Sequence, residues 1–356
     1  MTQIVNIAVI GCGGVSRAHF AAYDSHPDAR LYAAVDVSDQ LAQRAAETWH
    51  ADRWFDSVDA ALADPAIDAV DLCLPHDLHA PVAIMAAKAG KHVFVEKPIA
   101  NTIDEADSMI NAANEAGVIL MVDQTKRYQR RHQRVKEIIA SGALGEIVLA
   151  RLTYPQDITP AWQAMPAERL RTYWKHDGVI SGIGIHGLDL LRWMVGEVES
   201  VQAIASTSSI ISPERRTEDS GIVLLRFANG AIGEVLVSYV MKAPQMAANW
   251  DLMPLEIYGD KGSVTLDMNN AVSVFPGDSD GWGELGTLTL SGKRPIGAPP
   301  LPPDGMVGAA HHFIECVIGR AEPLTDGLEA RRSLELVAAA YESIRTGAAV
   351  AVSSGT

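Results

Sequence analysis

The sequence is short of the features that mark several large classes of protein. Three cysteines stand in 356 residues, at positions 12, 73 and 316, with no spacing that would hold a metal, and three thiols cannot all pair. A disulfide framework is therefore not expected, and a reducing, cytoplasmic setting is. No apolar stretch reaches the ~20 residues that cross a bilayer, and no basic leader with an apolar core precedes the first strand. Lys and Arg total 29 against 44 Asp and Glu, a net charge of -15. Nucleic acid and anionic membrane surfaces both reward clustered positive charge, so neither is expected as a partner. The one basic run, Lys126 to Arg134, is followed by Glu137 and reads as the polar face of a helix.

What is present is ordinary for a soluble globular protein: 48% apolar and 21% charged residues, in a chain long enough for two domains. Ile4 to Ile10 is a continuous apolar run, followed by Gly11, Cys12, Gly13, Gly14, Val15 and Ser16 and then a helical pattern. In a GxGxxG turn the first glycine supplies the tight bend and the second lets the backbone approach a pyrophosphate, which the helix N-terminus stabilises. Ser16 takes the third position as a small-residue variant. Leu31 to Val35 reads as a second strand ending in Asp36, placed where an acidic residue meets an adenosine ribose 2′-hydroxyl. Its charge would repel a 2′-phosphate, and no Arg or Lys follows at once, so NAD is favoured over NADP.

Strand and helix patterns then alternate. Ala69 to Leu74 is an apolar strand, Pro75 to Leu78 a turn, and His79 opens a helix; Val93 to Val95 is a buried strand closed by Glu96, Lys97 and Pro98. Such alternation predicts a doubly wound parallel sheet, with ligands beyond the carboxyl ends of its strands. Lys97 falls there, held extended by the following proline. Leu74, Pro75 and His79 fall at a neighbouring strand end, where they would line a cofactor cleft; an ordinary helix-start histidine explains His79 equally well.

The stretches GCGGVSRAH (11–19), LPHDLH (74–79), AGKHVFVEKPIA (89–100), SGALGEI (141–147), GIHGLDLLRW (184–193) and EPLTDGLEARRSLELVAAAYESIRTG (322–347) together resemble the Gfo/Idh/MocA oxidoreductase family. The resemblance implies an α/β N-terminal Rossmann domain over 1–123, followed over 124–356 by an α+β domain. That second domain would have a large open, mostly antiparallel sheet serving substrate binding and oligomer contacts. It also implies that Lys97 is the active-site lysine, often joined to Pro98 by a cis bond, and that the chain assembles as a homo-dimer or tetramer.

The second half agrees in outline. Val201 to Ser206, Gly221 to Phe227, Gly233 to Tyr239, Leu255 to Tyr258 and Ser263 to Leu266 read as short strands, for which adjacent antiparallel pairing is expected. Arg294 to Gly305, rich in proline, reads as a surface loop. A helix is expected from about Gly184, with His186 and Asp189 on one face of its first turns and the positive end of its dipole keeping the imidazole neutral. By the resemblance, His186 and Lys97 form the catalytic pair, and many relatives carry a carboxylate four residues before the histidine. Here that position is Gly182, which leaves open whether Asp189, Asp177 or a water takes its place, or whether Lys97 carries more of the proton transfer. Glu96 points to the opposite side from Lys97 and reads as structural or as part of the cofactor frame. Tyr154, Gln156, Asp157, Trp162, Arg169, Arg171, Tyr173 and Trp174 suit a polyhydroxylated ring, and Tyr154 and Trp174 are the preferred substrate contacts. Glu335, Tyr341 and Arg345 read as structural members of an amphipathic helix.

The expectation is an NAD-dependent dehydrogenase acting on a secondary alcohol of a sugar, cyclitol or similar small polyol, with no metal. Two rivals differ in class: a glycoside-cleaving enzyme that uses NAD transiently, and a non-catalytic NAD-binding sensor. A dihydrodiol dehydrogenase is a rival within the class.

Overall fold

In the computed structural model of the chain, the described residues are 4–160, 178–208, 217–242, 252–269, 271–276, 286–289 and 303–352. The chain separates into two compact units, Met1–Gln129 with Pro300–Leu334, and Arg130–Pro299 with Glu335–Thr356.

The first unit begins with β1 (Val5–Ile10), α1 (Ser16–Asp24), β2 (Ala29–Val35), α2 (Asp39–Trp49), β3 (Arg53–Phe55), α3 (Val58–Leu62), β4 (Ala69–Leu72), α4 (His76–Lys88), β5 (His92–Glu96), α5 (Ile103–Ala116) and β6 (Leu120–Asp123). Its six strands run parallel in the order β3-β2-β1-β4-β5-β6. Their continuous apolar runs follow from burial on both faces. Ala8, Ile10, Val70, Leu72, Val93 and Val95 face one layer; Ile7, Val9, Phe94 and Met121 face the other. The strand order reverses between β1 and β4, so the ligand crevice of this sheet opens there, beyond Ile10 and Leu72. Helix α4 starts at His76, three residues before its expected start, because Pro75 caps it with a φ of -57° and Asp77 favours its first turn.

The second unit contributes α6 (Arg130–Ala140), β7 (Ile147–Pro155), α7 (Ile185–Val195), β8 (Val198–Ser206), β9 (Ser220–Phe227), β10 (Ile232–Ser238), β11 (Leu255–Gly259), β12 (Gly262–Leu266), β13 (Ala271–Pro276) and β14 (Gly286–Thr289). With the terminal β15 (Val350–Ala351) they form one sheet in the order β14-β13-β12-β11-β7-β10-β9-β8-β15. The five expected strands are all present. Neighbouring antiparallel pairing holds for β8 to β10 and for β11 with β12, but β7 inserts between β10 and β11, parallel to the first and antiparallel to the second. Strand β7 turns Ala150, Leu152 and Tyr154 inward, and helix α7 comes so close that a Cβ on Gly187 would lie 2.7 Å from Val235 and 2.9 Å from Leu152. The opposite face of the sheet leaves Ile204, Leu224 and Ile232 exposed.

The chain then forms α8 (Gly305–Val317) and α9 (Gly327–Thr346). Helix α8 belongs to the first unit, where Phe313 stacks on Phe94 with ring centroids 5.3 Å apart. The basic run differs from its expected reading. Lys126, Arg127, Gln129 and His132 are buried, and Arg127 pairs with Glu329 at 2.8 Å. Only Arg134, paired with Glu137, matches an exposed polar face. No described helix is long and apolar enough to cross a membrane. Phe313→Ala removes a fully buried ring from the α8 contact and should cost about 3–5 kcal/mol, read as a lower urea midpoint at unchanged m-value.

Candidate active site

The site of the first unit is built on the glycine turn after β1. Gly11 has a φ of +95°, and a Cβ there would lie 2.3 Å from the carbonyl oxygen of Cys73, so only glycine fits. Gly13 and Gly14 are more open, and a Cβ on Gly14 would meet nothing within 4 Å. Ser16 closes the turn by donating its hydroxyl to Gly13 O at 2.8 Å. Val15 is exposed, and the N-terminus of α1 has no side-chain cap and no acidic residue in its first turn. Its free N–H groups leave the positive end of the helix available to an anion. Asp36 ends β2 as expected: it accepts the Cys12 N–H at 2.9 Å and the Ser38 N–H at 3.0 Å. Burial and Asp36 push the Cys12 thiol up to about 12, so it stays neutral and donates to Val35 O.

Leu74 and Pro75 lie half-buried just beyond β4. His79 is fully buried, with Nδ1 2.8 Å from Pro98 O and Nε2 3.0 Å from Leu74 O. Burial, with His76 nearby, keeps its imidazole below the usual range. Its ring joins the loops after β4 and β5, at the strand ends where it was expected. Lys97 is half-buried at the end of β5, and its bond to Pro98 is cis.

Glu96 closes β5, where a group of residues unread in the sequence holds it. His19 from α1 is fully buried, with Nδ1 2.8 Å from Asp71 and Nε2 3.2 Å from Glu96. Burial is the largest single influence and would lower this imidazole, but the charge and hydrogen bond of Asp71, together with Cys73, outweigh it and raise the imidazole well above its ordinary value. His19 is therefore an imidazolium donating to two carboxylates. Burial opposes ionisation of Glu96 too, yet His19 and then Lys97 hold its carboxyl below the usual range. Glu96 also accepts the N–H of Lys97 at 3.0 Å. Burial and the charge of Glu96 push the Asp123 carboxyl well up, so it is neutral in this group. His19, Glu96 and Asp123 have donor atoms within 4.8 Å of one another, as do His19, Asp71 and Cys73. The signal in the sequence was Asp71, one acid inside an otherwise apolar strand.

In the second unit His186 and Asp189 lie three apart on α7 and are both buried. The helical run begins earlier than expected: Val179 is already helical, and Ile180–Gly184 forms a π turn that leads into α7. His186 is therefore beyond the first turn, where the helix dipole acts, and the dipole argument for its neutrality fails. A π turn within a helix often marks a functional site. Tyr154 of β7 lies beside His186, ring centroids 6.2 Å apart. Gln156 is buried and Asp157 accepts the Thr159 N–H. Trp162, Arg169, Arg171, Tyr173, Trp174 and Asp177 lie outside the described residues.

A glycine turn with an acid at the end of β2, and a lysine at the next strand end but one, fit an NAD-binding oxidoreductase. Residues 5–124 match the oxidoreductase family with an NAD-binding Rossmann fold, and residues 132–265 match the GFO/IDH/MocA C-terminal domain. The chain belongs to the Gfo/Idh/MocA oxidoreductase family. It is similar to levoglucosan dehydrogenase of Pseudarthrobacter phenanthrenivorans, 30% identical over 304 residues, which span 74% of this chain and 74% of that protein. It is also similar to myo-inositol 2-dehydrogenase of Thermotoga maritima, 28% identical over 281 residues, or 78% of this chain and 79% of that protein. A solved levoglucosan dehydrogenase in complex with NADH and levoglucosan superposes with a TM-score of 0.85 at 26% identity, covering 98% of this chain and 100% of that one.

His19→Ala leaves Asp71 and Glu96 without their buried cation and should cost about 3–5 kcal/mol. Because the folded imidazole pKa is raised, the stabilisation is complete below the unfolded value of about 6.5 and is lost as pH rises through the folded value. Urea stability of the native chain should thus fall on the alkaline side more steeply than that of His19→Ala; equal slopes would contradict the imidazolium assignment.

Proposed function

We propose that the chain oxidises a secondary alcohol of a sugar, cyclitol or similar small polyol, and reduces the ketone in reverse, with NAD as cofactor and NADP a poor substitute. The observation that carries this reading is Asp36: its carboxylate is fixed by the Cys12 and Ser38 N–H groups at the end of β2, ready to accept from a ribose diol and to repel a 2′-phosphate. The open turn at Gly13 and Gly14 and the uncapped start of α1 suit a pyrophosphate. When bound, NAD supplies the two-electron acceptor for the hydride leaving the carbinol carbon.

The chain's own part is proton management and orientation. His186 takes the hydroxyl proton as the carbon–hydrogen bond breaks, so the alcohol loses a hydride and a proton and becomes a ketone. Lys97, at the end of β5, is a hydrogen-bond donor suited to stabilising negative charge that develops on a substrate oxygen. Tyr154, beside His186, offers an aromatic face to the substrate ring, and Asp189, together with Trp174, extends the substrate contacts. The sugar and cyclitol names of the two relatives support the substrate class.

Assembly into a homo-oligomer through the second unit's sheet is part of the same reading. Ile204 and Leu224 are exposed on one face of that sheet, and exposed apolar side chains of this kind suit an interface. Three free thiols suit the cytoplasm as the working compartment. Light scattering should show a dimer or tetramer, reduced to monomer by Ile204→Lys with Leu224→Glu.

A panel of sugars, sugar acids, cyclitols and dihydrodiols, followed by reduced nicotinamide absorbance with NAD and with NADP, tests the activity. NAD-dependent reduction with at least one polyol is expected. Tight NAD binding with silence across the panel would contradict it, as would release of an aglycone without net NADH. Lys97→Ala should abolish turnover and leave NAD affinity nearly intact; native activity in that variant would remove Lys97 from the mechanism.

A further inference from the structure

Gly182 lies inside the π turn that leads into α7, and its missing side chain has a definite neighbour. A Cβ there would stand 2.1 Å from the Tyr239 hydroxyl oxygen and 3.3 Å from the ring carbon bearing it. Tyr239 is 1% exposed and follows directly on β10. Its backbone is fixed on both sides: its N–H donates to Asp219 O at 2.8 Å, and its carbonyl accepts from Ile158 N at 3.0 Å. The phenol is therefore held in place by the sheet.

The π turn is held from a second direction. Gly178 lets the Glu218 carboxylate approach so closely that a Cβ at 178 would overlap it. Glu218 accepts the Ile180 N–H at 3.2 Å and the Tyr341 hydroxyl at 2.8 Å, and the Tyr341 oxygen accepts the Ser181 N–H at 3.3 Å. Two glycines thus admit two polar side chains, Tyr239 from the end of β10 and Glu218 from just before β9, onto one widened turn.

Helical side chains lean toward the N-terminus, so a residue covers the turn before its own Cα. The residue that covers the Gly182 turn is His186, four positions on. We propose that Tyr239 is a positioning residue for His186, its hydroxyl filling the space of the absent side chain at 182 and orienting the imidazole toward the substrate hydroxyl. This rests on the reading of His186 as proton acceptor and answers which group stands beside it where no carboxylate does. Gly182 is then required because any Cβ would displace the phenol oxygen.

The test compares Tyr239→Phe, His186→Ala and the double variant Tyr239→Phe with Gly182→Asp, using the panel substrate turned over fastest. Alongside it, NMR follows the His186 Cε1–H titration in the NAD-bound protein without substrate. Tyr239→Phe should lower kcat about tenfold, the worth of one hydrogen bond, with KM and NAD affinity little changed. It should also move the His186 titration midpoint and, with it, the kcat–pH limb. In the double variant the loss of the phenol oxygen removes the 2.1 Å overlap and leaves the ring carbon 3.3 Å from the new Cβ, so the aspartate should restore part of kcat. A wild-type kcat, pH profile and titration midpoint in Tyr239→Phe, with His186→Ala inactive, would overturn the inference and leave the site reading intact. Full activity in His186→Ala would overturn both. Should Tyr239→Phe fold poorly, the double variant decides alone: folded, yet inactive and with an unmoved His186 midpoint, it refutes the role.

Discussion

The first unit depends on one buried cation. His19, between Asp71 and Glu96, ties α1 to two parallel strands at the end of the sheet where ligands bind. Its charge makes the interior position of Asp71 tolerable and holds the Glu96 carboxylate. Glu96 in turn accepts the Lys97 N–H, so the backbone that presents the lysine is fixed at the residue before it. His79 holds the far side of the same loop through Pro98 O. Lys97 therefore gets its place from two buried histidines, neither of which has to touch a substrate.

A second constraint recurs in both units: backbone turns are shaped by glycines that something polar approaches. At Gly11 the intruder is the Cys73 carbonyl, which sets the dinucleotide turn; at Gly182 it is the Tyr239 hydroxyl, and at Gly178 the Glu218 carboxylate. In each case a methyl group would push apart elements that the site needs together. The apolar cores on the two faces of the parallel sheet and on the inner face of the antiparallel one supply the rigidity against which these contacts are held.

Much of this was legible in the sequence. The first unit's strands and the glycine turn announced themselves because a parallel sheet covered on both faces writes continuous apolar runs, and Asp36 stood at the spacing a ribose demands. Lys97 was legible from its place before a proline at a strand end. The pairing partner of β10 was not: β7 mixes inward Ala150, Leu152 and Tyr154 with outward Arg151 and Thr153, and nothing local says which distant strand it joins. The basic run misled because Arg127 is buried against Glu329, some 200 residues away in sequence, a pairing no local pattern reveals. The role of His79 and the π turn before His186 escaped for the same reason, since both depend on groups brought in by the tertiary fold.

The first unit presents a fixed acid at the end of β2 and a lysine whose backbone is set by Glu96, and the second a histidine that follows a widened helical turn. The most direct measurement is isotopic. A panel polyol deuterated at its carbinol carbons, such as perdeuterated myo-inositol, would be turned over with NAD and the product nicotinamide examined by proton NMR. Deuterium at the nicotinamide C4 position, with a slower rate than for the protonated polyol, is the predicted result. Reduced nicotinamide without that label would contradict direct hydride transfer from the alcohol.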